Sequence, residues 1–374
     1  MKFIDLNKQY HKIKEQIDRD VLDTIEKGDF ILGQNVQILE QKLAKYVGVK
    51  ECITCASGTD ALQIPLMAYG IGRGDAVFTT NFSYFATTEV ISLVGATPIF
   101  VDINNKTFNI DPDLLENQII ETLDSNSLKP KAIIAVDLFG QLADYTKIEK
   151  IAKKYNLLLI EDAAQSFGAS YNGQKSCSFG DVAATSFFPA KPLGCYGDGG
   201  AIFTNDSKIA DLCRSIRVHG KGEDKYDNIR VGLNSRLDTI QASILLNKLK
   251  IFDDEIKSRN EIAQKYNDLL KDIFVTPYVD KNNISSWAQY SILTSNSHER
   301  DKVMDYLNSK GIPTAIYYKK LFSDLDIYSN IVNKKFPISE NIKDRIFSIP
   351  MHPYLETSEI KKITDNIMDF FNNE

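Results

Sequence analysis

The chain has 374 residues, which at roughly 100–200 residues per domain is enough for two domains. Its 44 basic and 50 acidic side chains give a net charge of -6, which argues against a nucleic-acid-binding protein because such proteins usually carry a basic face. Hydrophobic residues (43%) and charged residues (25%) occur at ordinary globular frequencies, so the composition also excludes a disordered or collagen-like chain.

Short apolar runs alternate with helical patterns through the first two-thirds of the chain. Segments such as 59–70 and 145–156 carry apolar residues at spacings of three and four, which predicts helices between the strands. This alternation predicts an α/β fold with a mostly parallel sheet and an active site at the carboxyl ends of its strands. The predicted strands are 51–55, 76–80, 98–103, 131–139, 156–162, 181–188 and 200–205.

The pattern changes near residue 237. Residues 237–270 form a nearly unbroken helical pattern without Pro or Gly, and the strand candidates beyond it are sparse. We therefore predict a large domain over residues 1–250, which includes an N-terminal helical segment, and a smaller α+β domain over residues 251–374. The strand candidates of the smaller domain are 288–293, 313–318 and 345–350.

The sequence Ser57-Gly58-Thr59 follows the first predicted strand and opens a helical pattern. The N-terminus of a helix exposes unpaired N–H groups and a partial positive charge, so these residues can wrap a phosphate. The alternative is that Ser57 or Thr59 simply caps the helix.

Glu161 and Asp162 end the most apolar predicted strand, where an α/β enzyme presents catalytic groups. Because side chains alternate along a strand, only one of these two carboxylates is expected to point into a site. The alternative is an acid that is solvated or caps the next helix.

Lys191 leaves another predicted strand between Pro189 and Pro192 and enters a loop with four glycines in residues 194–200. Most lysines are solvated surface charges. A lysine in an apolar environment has a lowered pKa, however, and can form a Schiff base. A phosphate cradle, a strand-end acid and such a lysine are together the parts needed to hold pyridoxal phosphate.

The sequence predicts no metal site and no membrane segment. The four histidines are dispersed, and Cys52 and Cys55 face opposite sides of a predicted strand, which favours buried thiols over zinc. Five cysteines are few and odd in number, as expected in a reducing compartment. No apolar run approaches about 18 residues, and no signal peptide is visible, so we expect a cytoplasmic protein.

Four segments together, 56–62, 161–169, 186–206 and 232–242, resemble the DegT-type sugar-nucleotide aminotransferases. Those enzymes have the aspartate aminotransferase fold, which is fold type I of the pyridoxal-phosphate enzymes. The resemblance implies that Lys191 forms the Schiff base and moves protons, that Asp162 binds the pyridine nitrogen and that Gln165 lies by the phenolic oxygen. It also implies phosphate binding by Gly58, Thr59 and Ser186.

The resemblance further implies a homodimer with composite active sites. Asn234 matches a residue that reaches the phosphate across the dimer interface, and Tyr84 matches an aromatic that packs on the cofactor, although it could be a core aromatic. Arg236 is the candidate for binding a carboxylate, or else forms an interface salt bridge.

Within the family, the chain is most similar to enzymes that aminate C3 of UDP-2-acetamido-2-deoxy-3-keto-glucuronic acid for surface polysaccharides. L-glutamate would donate the amine through pyridoxamine phosphate. Tyr317-Tyr318 stands where relatives commonly have His-Tyr near the sugar nucleotide, so the substrate stays open between this sugar and another 3- or 4-keto-sugar nucleotide. Lys191 disfavours a dehydratase, which has histidine there, and a remoter alternative is a non-catalytic sensor of the same fold.

Overall fold

The structure is a computed structural model that describes residues 1–224, 226–332 and 334–372. Its described helices are α1 (Leu6–Lys12), α2 (Lys14–Lys27), α3 (Gln34–Val47), α4 (Gly58–Ala68), α5 (Ala86–Leu93), α6 (Pro112–Ser125), α7 (Tyr145–Tyr155), α8 (Ser207–Ile216), α9 (Thr239–Leu249), α10 (Phe252–Leu270), α11 (Ser297–Ser309), α12 (Pro337–Arg345) and α13 (Thr357–Asn372). Within the described residues, no helix combines the length and apolarity needed to span a bilayer.

Seven of the described strands form one mixed sheet in the order β1-β9-β8-β5-β4-β2-β3. Neighbouring strands from β3 to β8 pair in parallel, whereas β9 runs antiparallel to both β8 and β1. The described strands are β1 (Glu51–Cys55), β2 (Asp75–Thr80), β3 (Thr97–Val101), β4 (Lys129–Val136), β5 (Leu158–Asp162), β6 (Ser170–Tyr171), β7 (Gln174–Lys175), β8 (Val182–Ser186), β9 (Gly200–Thr204), β10 (Tyr290–Leu293) and β11 (Ile346–Ile349).

Helices cover both faces of this sheet. On one face, side chains such as Leu39 of α3 and Leu245 of α9 pack against Phe203 of the sheet. On the other face, α4 and α8 pack against alternate residues of the same strands. The predicted α/β fold with a mostly parallel sheet is therefore confirmed.

The helical pattern of residues 237–270 is two helices, not one. Backbone N–H groups of Lys250 and Ile251 bond three residues back at 3.2 and 3.1 Å, which tightens and ends α9. A new helix then starts at Phe252 with Asp253 and Asp254 in its first turn, where negative charge suits the helix dipole.

The other described strands form two antiparallel pairs, β6 with β7 and β10 with β11. Helices α10, α11 and α13 supply the core beside the β10-β11 pair. Trp287 is buried there, with its ring centroid 5.6 Å from that of Tyr290. The predicted strand at 313–318 is wrong: the segment is irregular, and only Ala315 pairs, with Ser348 of β11. The domain division at residue 250 stays a prediction.

Two buried carboxyl groups lie beside each other at the ends of β4 and β5. Asp137 accepts hydrogen bonds from the hydroxyls of Tyr145 and Ser166, while Glu161 accepts from two backbone N–H groups at 2.7 and 2.9 Å. Burial, and then the negative charge of Asp137, raises the pKa of Glu161 well above 4.5, so Glu161 keeps a proton that it donates to Asp137.

This shared proton predicts pH-dependent stability. Above pH 4.5 the unfolded chain loses a proton that folded Glu161 retains, so the free energy of unfolding falls with rising pH, by up to about 1.4 kcal/mol per pH unit. We expect Glu161→Gln to make this decline shallower between pH 5 and 8 in urea denaturation. The exposed Glu149→Gln serves as the control and should keep the parental slope. Equal slopes for Glu161→Gln and the parent would contradict the shared proton.

Candidate active site

A cleft of about 340 Å³ opens at the carboxyl ends of the parallel strands. We call it the strand-end cleft. The predicted residues that line it are Gly58, Thr59, Tyr84, Asp162, Gln165, Ser186, Lys191, Tyr317 and Tyr318, and further lining residues include Ser57, Ser83, Thr87, Phe188, Asp198 and Gln289.

One wall of the cleft is the N-terminus of α4. Ser57 caps this helix by accepting a hydrogen bond from the backbone N–H of Asp60 at 3.1 Å, so the capping alternative is correct for Ser57. Gly58 passes so close to Ser186 that an added Cβ would lie 2.6 Å from the Ser186 Cβ. The close approach leaves a narrow groove lined by a hydroxyl and a helix N-terminus, which suits a phosphate.

Asp162 lies at the base of the cleft, whereas Glu161 is buried away from it, as strand alternation requires. The carboxylate of Asp162 accepts hydrogen bonds from the Thr87 hydroxyl at 2.8 Å and the Ala164 backbone N–H at 3.2 Å. Burial raises the pKa of Asp162, and these bonds and the charge of Lys191 oppose the rise.

Lys191 extends from the loop of residues 187–199, which we call the Lys191 loop. Its backbone N–H donates to the carbonyl of Phe188 at 2.8 Å, so the loop turns tightly at the lysine. Burial lowers the pKa of the Lys191 ammonium, and the attraction of Asp162 opposes this shift. A lysine with a lowered pKa beside a carboxylate can supply a neutral amine for covalent chemistry.

The amide of Gln165 is held on both sides. Its Oε1 accepts from the backbone N–H of Phe139 at 2.8 Å, and its Nε2 donates to the hydroxyl of Tyr318 at 3.2 Å. The Tyr84 ring lies near Tyr318, and the two ring centroids are 6.4 Å apart. Tyr84 is 60% exposed, so it is not a core aromatic.

Asn234 and Arg236 do not line the cleft of their own chain. Asn234 is exposed and Arg236 is half-buried, on a segment that Ser235 fixes to the α4 region by donating to Asp60 at 2.6 Å. The structure of one chain therefore separates these two predicted residues from the other predicted site residues.

Four polar lining residues were not predicted from the sequence: Ser83, Thr87, Asp198 and Gln289. Thr87 follows Tyr84 by three residues, so the spacing from the aromatic was an available signal. Ser83 and Gln289 carried no such signal. The Ser83 Oγ and the Gln289 Oε1 are buried without a hydrogen-bond partner in the described part of the chain.

These features fit pyridoxal phosphate. The groove at Gly58 suits its phosphate, Asp162 suits a protonated ring nitrogen, and Lys191 suits its aldehyde. The unpaired atoms of Ser83 and Gln289 leave hydrogen-bonding capacity for a polar ligand in the same cleft. The described residues contain no cluster of three or more His, Cys, Asp or Glu side chains able to hold a metal ion.

Comparisons with known proteins agree with this fit. A model of the DegT/DnrJ/EryC1/StrS aminotransferase family matches residues 11–368. The chain is 48% identical over 364 residues to UDP-2-acetamido-2-deoxy-3-oxo-D-glucuronate aminotransferase of Pseudomonas aeruginosa, covering 97% of this chain and 98% of that protein.

Solved structures show the same similarity. A DegT DnrJ EryC1 StrS aminotransferase from Brucella abortus superposes with a TM-score of 0.97 at 48% identity, covering 99% of both chains. NtdA from Bacillus subtilis, solved with bound cofactor PMP, superposes with a TM-score of 0.89 at 27% identity, covering 99% of this chain and 83% of that one. The chain therefore belongs to the DegT/DnrJ/EryC1/StrS family and is a pyridoxal-phosphate-dependent aminotransferase.

Proposed function

We propose that this enzyme transfers the amino group of L-glutamate to C3 of UDP-2-acetamido-2-deoxy-3-keto-glucuronic acid. The observation that carries the substrate is the 48% identity, over almost the whole of both chains, to the Pseudomonas aeruginosa enzyme named for that sugar. The product is an amino-sugar nucleotide, and we assign it to surface-polysaccharide (O-antigen) synthesis.

Pyridoxal phosphate, when bound, supplies an electron sink that stabilises negative charge at the reacting carbon. Asp162 holds a proton on the pyridine nitrogen, which maintains that sink, and Thr87 fixes the orientation of its carboxylate. Lys191 would hold the cofactor and would act as the base that moves a proton at the substrate carbon. Gln165, whose amide is fixed by the backbone N–H of Phe139, would lie by the phenolic oxygen of the cofactor.

The phosphate is bound by Gly58, Thr59 and Ser186 of one chain and by Asn234 of the partner chain in a homodimer. Exposed apolar side chains support this assembly. Phe30 and Ile31 are 45% and 49% exposed, and this segment pairs with the chain just after Arg236. Val231, near Asn234 in the sequence, is 84% exposed, so exposed apolar side chains occur close to the segment that carries Asn234 and Arg236.

The sugar nucleotide occupies the outer part of the cleft, beside Tyr317 and Tyr318. Tyr318 accepts a hydrogen bond from Gln165, so its own hydroxyl proton is free to point to a substrate oxygen. Arg236, brought from the partner chain with Asn234, binds a carboxylate of the uronic acid or of glutamate.

The direct test is the reverse half-reaction with UDP- and dTDP-linked 3-amino and 4-amino sugars, followed by the change in cofactor absorbance. We expect the 3-amino derivative of UDP-2-acetamido-2-deoxy-glucuronic acid to react fastest, and 2-oxoglutarate to restore the starting spectrum. Faster reaction of a dTDP-linked sugar would assign the enzyme to that nucleotide. Failure of every 3-amino sugar beside a reactive 4-amino sugar would overturn C3 amination.

Lys191→Ala should lower turnover by on the order of 10³-fold or more, because it removes both the covalent attachment and the proton-transfer base. Thermal unfolding should show a folded protein. The measurement is release of 2-oxoglutarate from L-glutamate, with the exposed Lys208→Ala as a matched control of unchanged rate. Near-parental turnover by Lys191→Ala would refute its catalytic role.

A mixing experiment tests the composite site. Asn234→Ala should weaken cofactor binding by about 10-fold or more, since a hydrogen bond to a charged phosphate is lost. At a cofactor concentration too low to activate Asn234→Ala alone, Lys191→Ala and Asn234→Ala chains, unfolded and refolded together in equal amounts, should regain roughly a quarter of parental activity, because half of the two-fold dimers are hybrids with one intact site. No recovery in confirmed hybrid dimers would place Asn234 in its own chain's site.

A further inference from the structure

We propose that Lys248 is a positioning residue that lies outside the cleft and holds the Lys191 loop in its catalytically active conformation. This inference rests on the proposed catalytic role of Lys191. No cofactor or substrate contact is assigned to Lys248, which belongs to α9 and does not line the strand-end cleft.

The side chain of Lys248 is fully buried, at 0% exposure, and its ammonium makes two contacts with the loop. Its Nζ donates a hydrogen bond to the carbonyl oxygen of Gly194 at 2.6 Å and lies 4.1 Å from the centroid of the Tyr196 ring. A charged donor at this distance makes a strong hydrogen bond, and the ring face attracts the same cation. One buried charge therefore fixes two positions of the loop.

Gly194 is the point at which the loop closes on itself. An added Cβ there would lie 2.6 Å from the carbonyl oxygens of both Phe188 and Pro189, so the two ends of the turn are in contact. Lys191 lies between these ends and bonds to Phe188 through its own N–H. A shift of Gly194 must therefore move the backbone on both sides of Lys191.

A second contact ties the loop to the same helix. Gln241 accepts a hydrogen bond from the backbone N–H of Tyr196 at 2.9 Å, and it precedes Lys248 by two helical turns on the same face of α9. The Lys191 loop is therefore attached to α9 at two positions, Gly194 and Tyr196.

The electrostatics disfavour a purely stabilising role for this lysine. Burial lowers the pKa of Lys248 to about 8, against the attraction of Glu255 and Cys195. Glu255 accepts hydrogen bonds from Gln9 and Tyr354, whereas the Lys248 ammonium donates to a peptide carbonyl. Burying a cation that has no carboxylate in contact lowers the free energy of unfolding. Overall stability therefore does not account for Lys248, and we assign its structural effect to the Lys191 loop that it contacts.

The test uses Lys248→Met, which keeps the length and apolar stem of the side chain but removes the charge and the donor. In protein freed of cofactor, we expect faster hydrogen exchange of the amides of residues 187–199. With cofactor, we expect kcat for the glutamate half-reaction to fall by about 10- to 100-fold while KM for glutamate stays within about twofold, because a displaced base slows chemistry and not binding.

The matched control is Ile244→Ala, one turn before Lys248 on α9, where the side chain packs against Ile13 and Ile17. It should lower Tm and leave the exchange of residues 187–199 and kcat unchanged. Parental exchange and kcat in Lys248→Met would overturn the proposal, and so would an equal loss of kcat in Ile244→Ala. Because hydrogen exchange is measured without cofactor, it tests whether Lys248 holds the Lys191 loop even if the proposed sugar substrate is wrong.

A second variant decides the matter if Lys248→Met does not fold. Tyr196 is 36% exposed, so Tyr196→Leu removes the ring contact of the Lys248 ammonium at a partly solvated position. We expect a smaller increase in exchange at the same amides. Unchanged hydrogen exchange in Tyr196→Leu would contradict the proposal that Lys248 holds the Lys191 loop.

Discussion

The proposed chemistry depends on the electrostatic interaction between Asp162, at the carboxyl end of β5, and Lys191. Burial raises the pKa of Asp162 and lowers that of Lys191, so each group alone favours its neutral form. Their mutual attraction and the Thr87 hydroxyl oppose that tendency. Such an arrangement gives an acid that can hold a proton on a ring nitrogen and a lysine that can deprotonate, and the cofactor needs both.

The rest of the fold fixes these two groups. The parallel strands bring Asp162 and the groove at Gly58 to one edge of the sheet. The antiparallel pair of β8 and β9 then presents the Lys191 loop at the same edge. Lys248 completes the arrangement from behind the loop, through the Gly194 carbonyl. In the proposed account, the catalytic geometry depends on a helix face as well as on strand ends.

The sequence was informative where local rules determine the structure. Alternation along a strand separated Asp162 from Glu161, and the Pro- and Gly-rich surroundings marked Lys191 as unusual. The break between α9 and α10 was missed because periodicity continues through it, although the acidic residues of the new first turn were an available signal. The segment 313–318 has strand-like composition, but it is tied down at a single bridge.

Long-range features could not be predicted from the sequence. Ser83 and Gln289 are separated by more than two hundred residues, and only the folded chain brings them to one cleft. Lys248 has an ordinary place in a helical pattern, and only its burial against Gly194 distinguishes it. Asn234 lies outside its own cleft, so its proposed role depends on a second chain.

The central claim is that Lys191 is the residue that binds the cofactor covalently. Protein loaded with pyridoxal phosphate can be reduced with borohydride, digested and examined by mass spectrometry. We predict one pyridoxyl-modified peptide that contains Lys191, at close to one modification per chain, and its loss when excess L-glutamate is added before reduction. Modification of another lysine such as Lys248, or of none, would contradict the account.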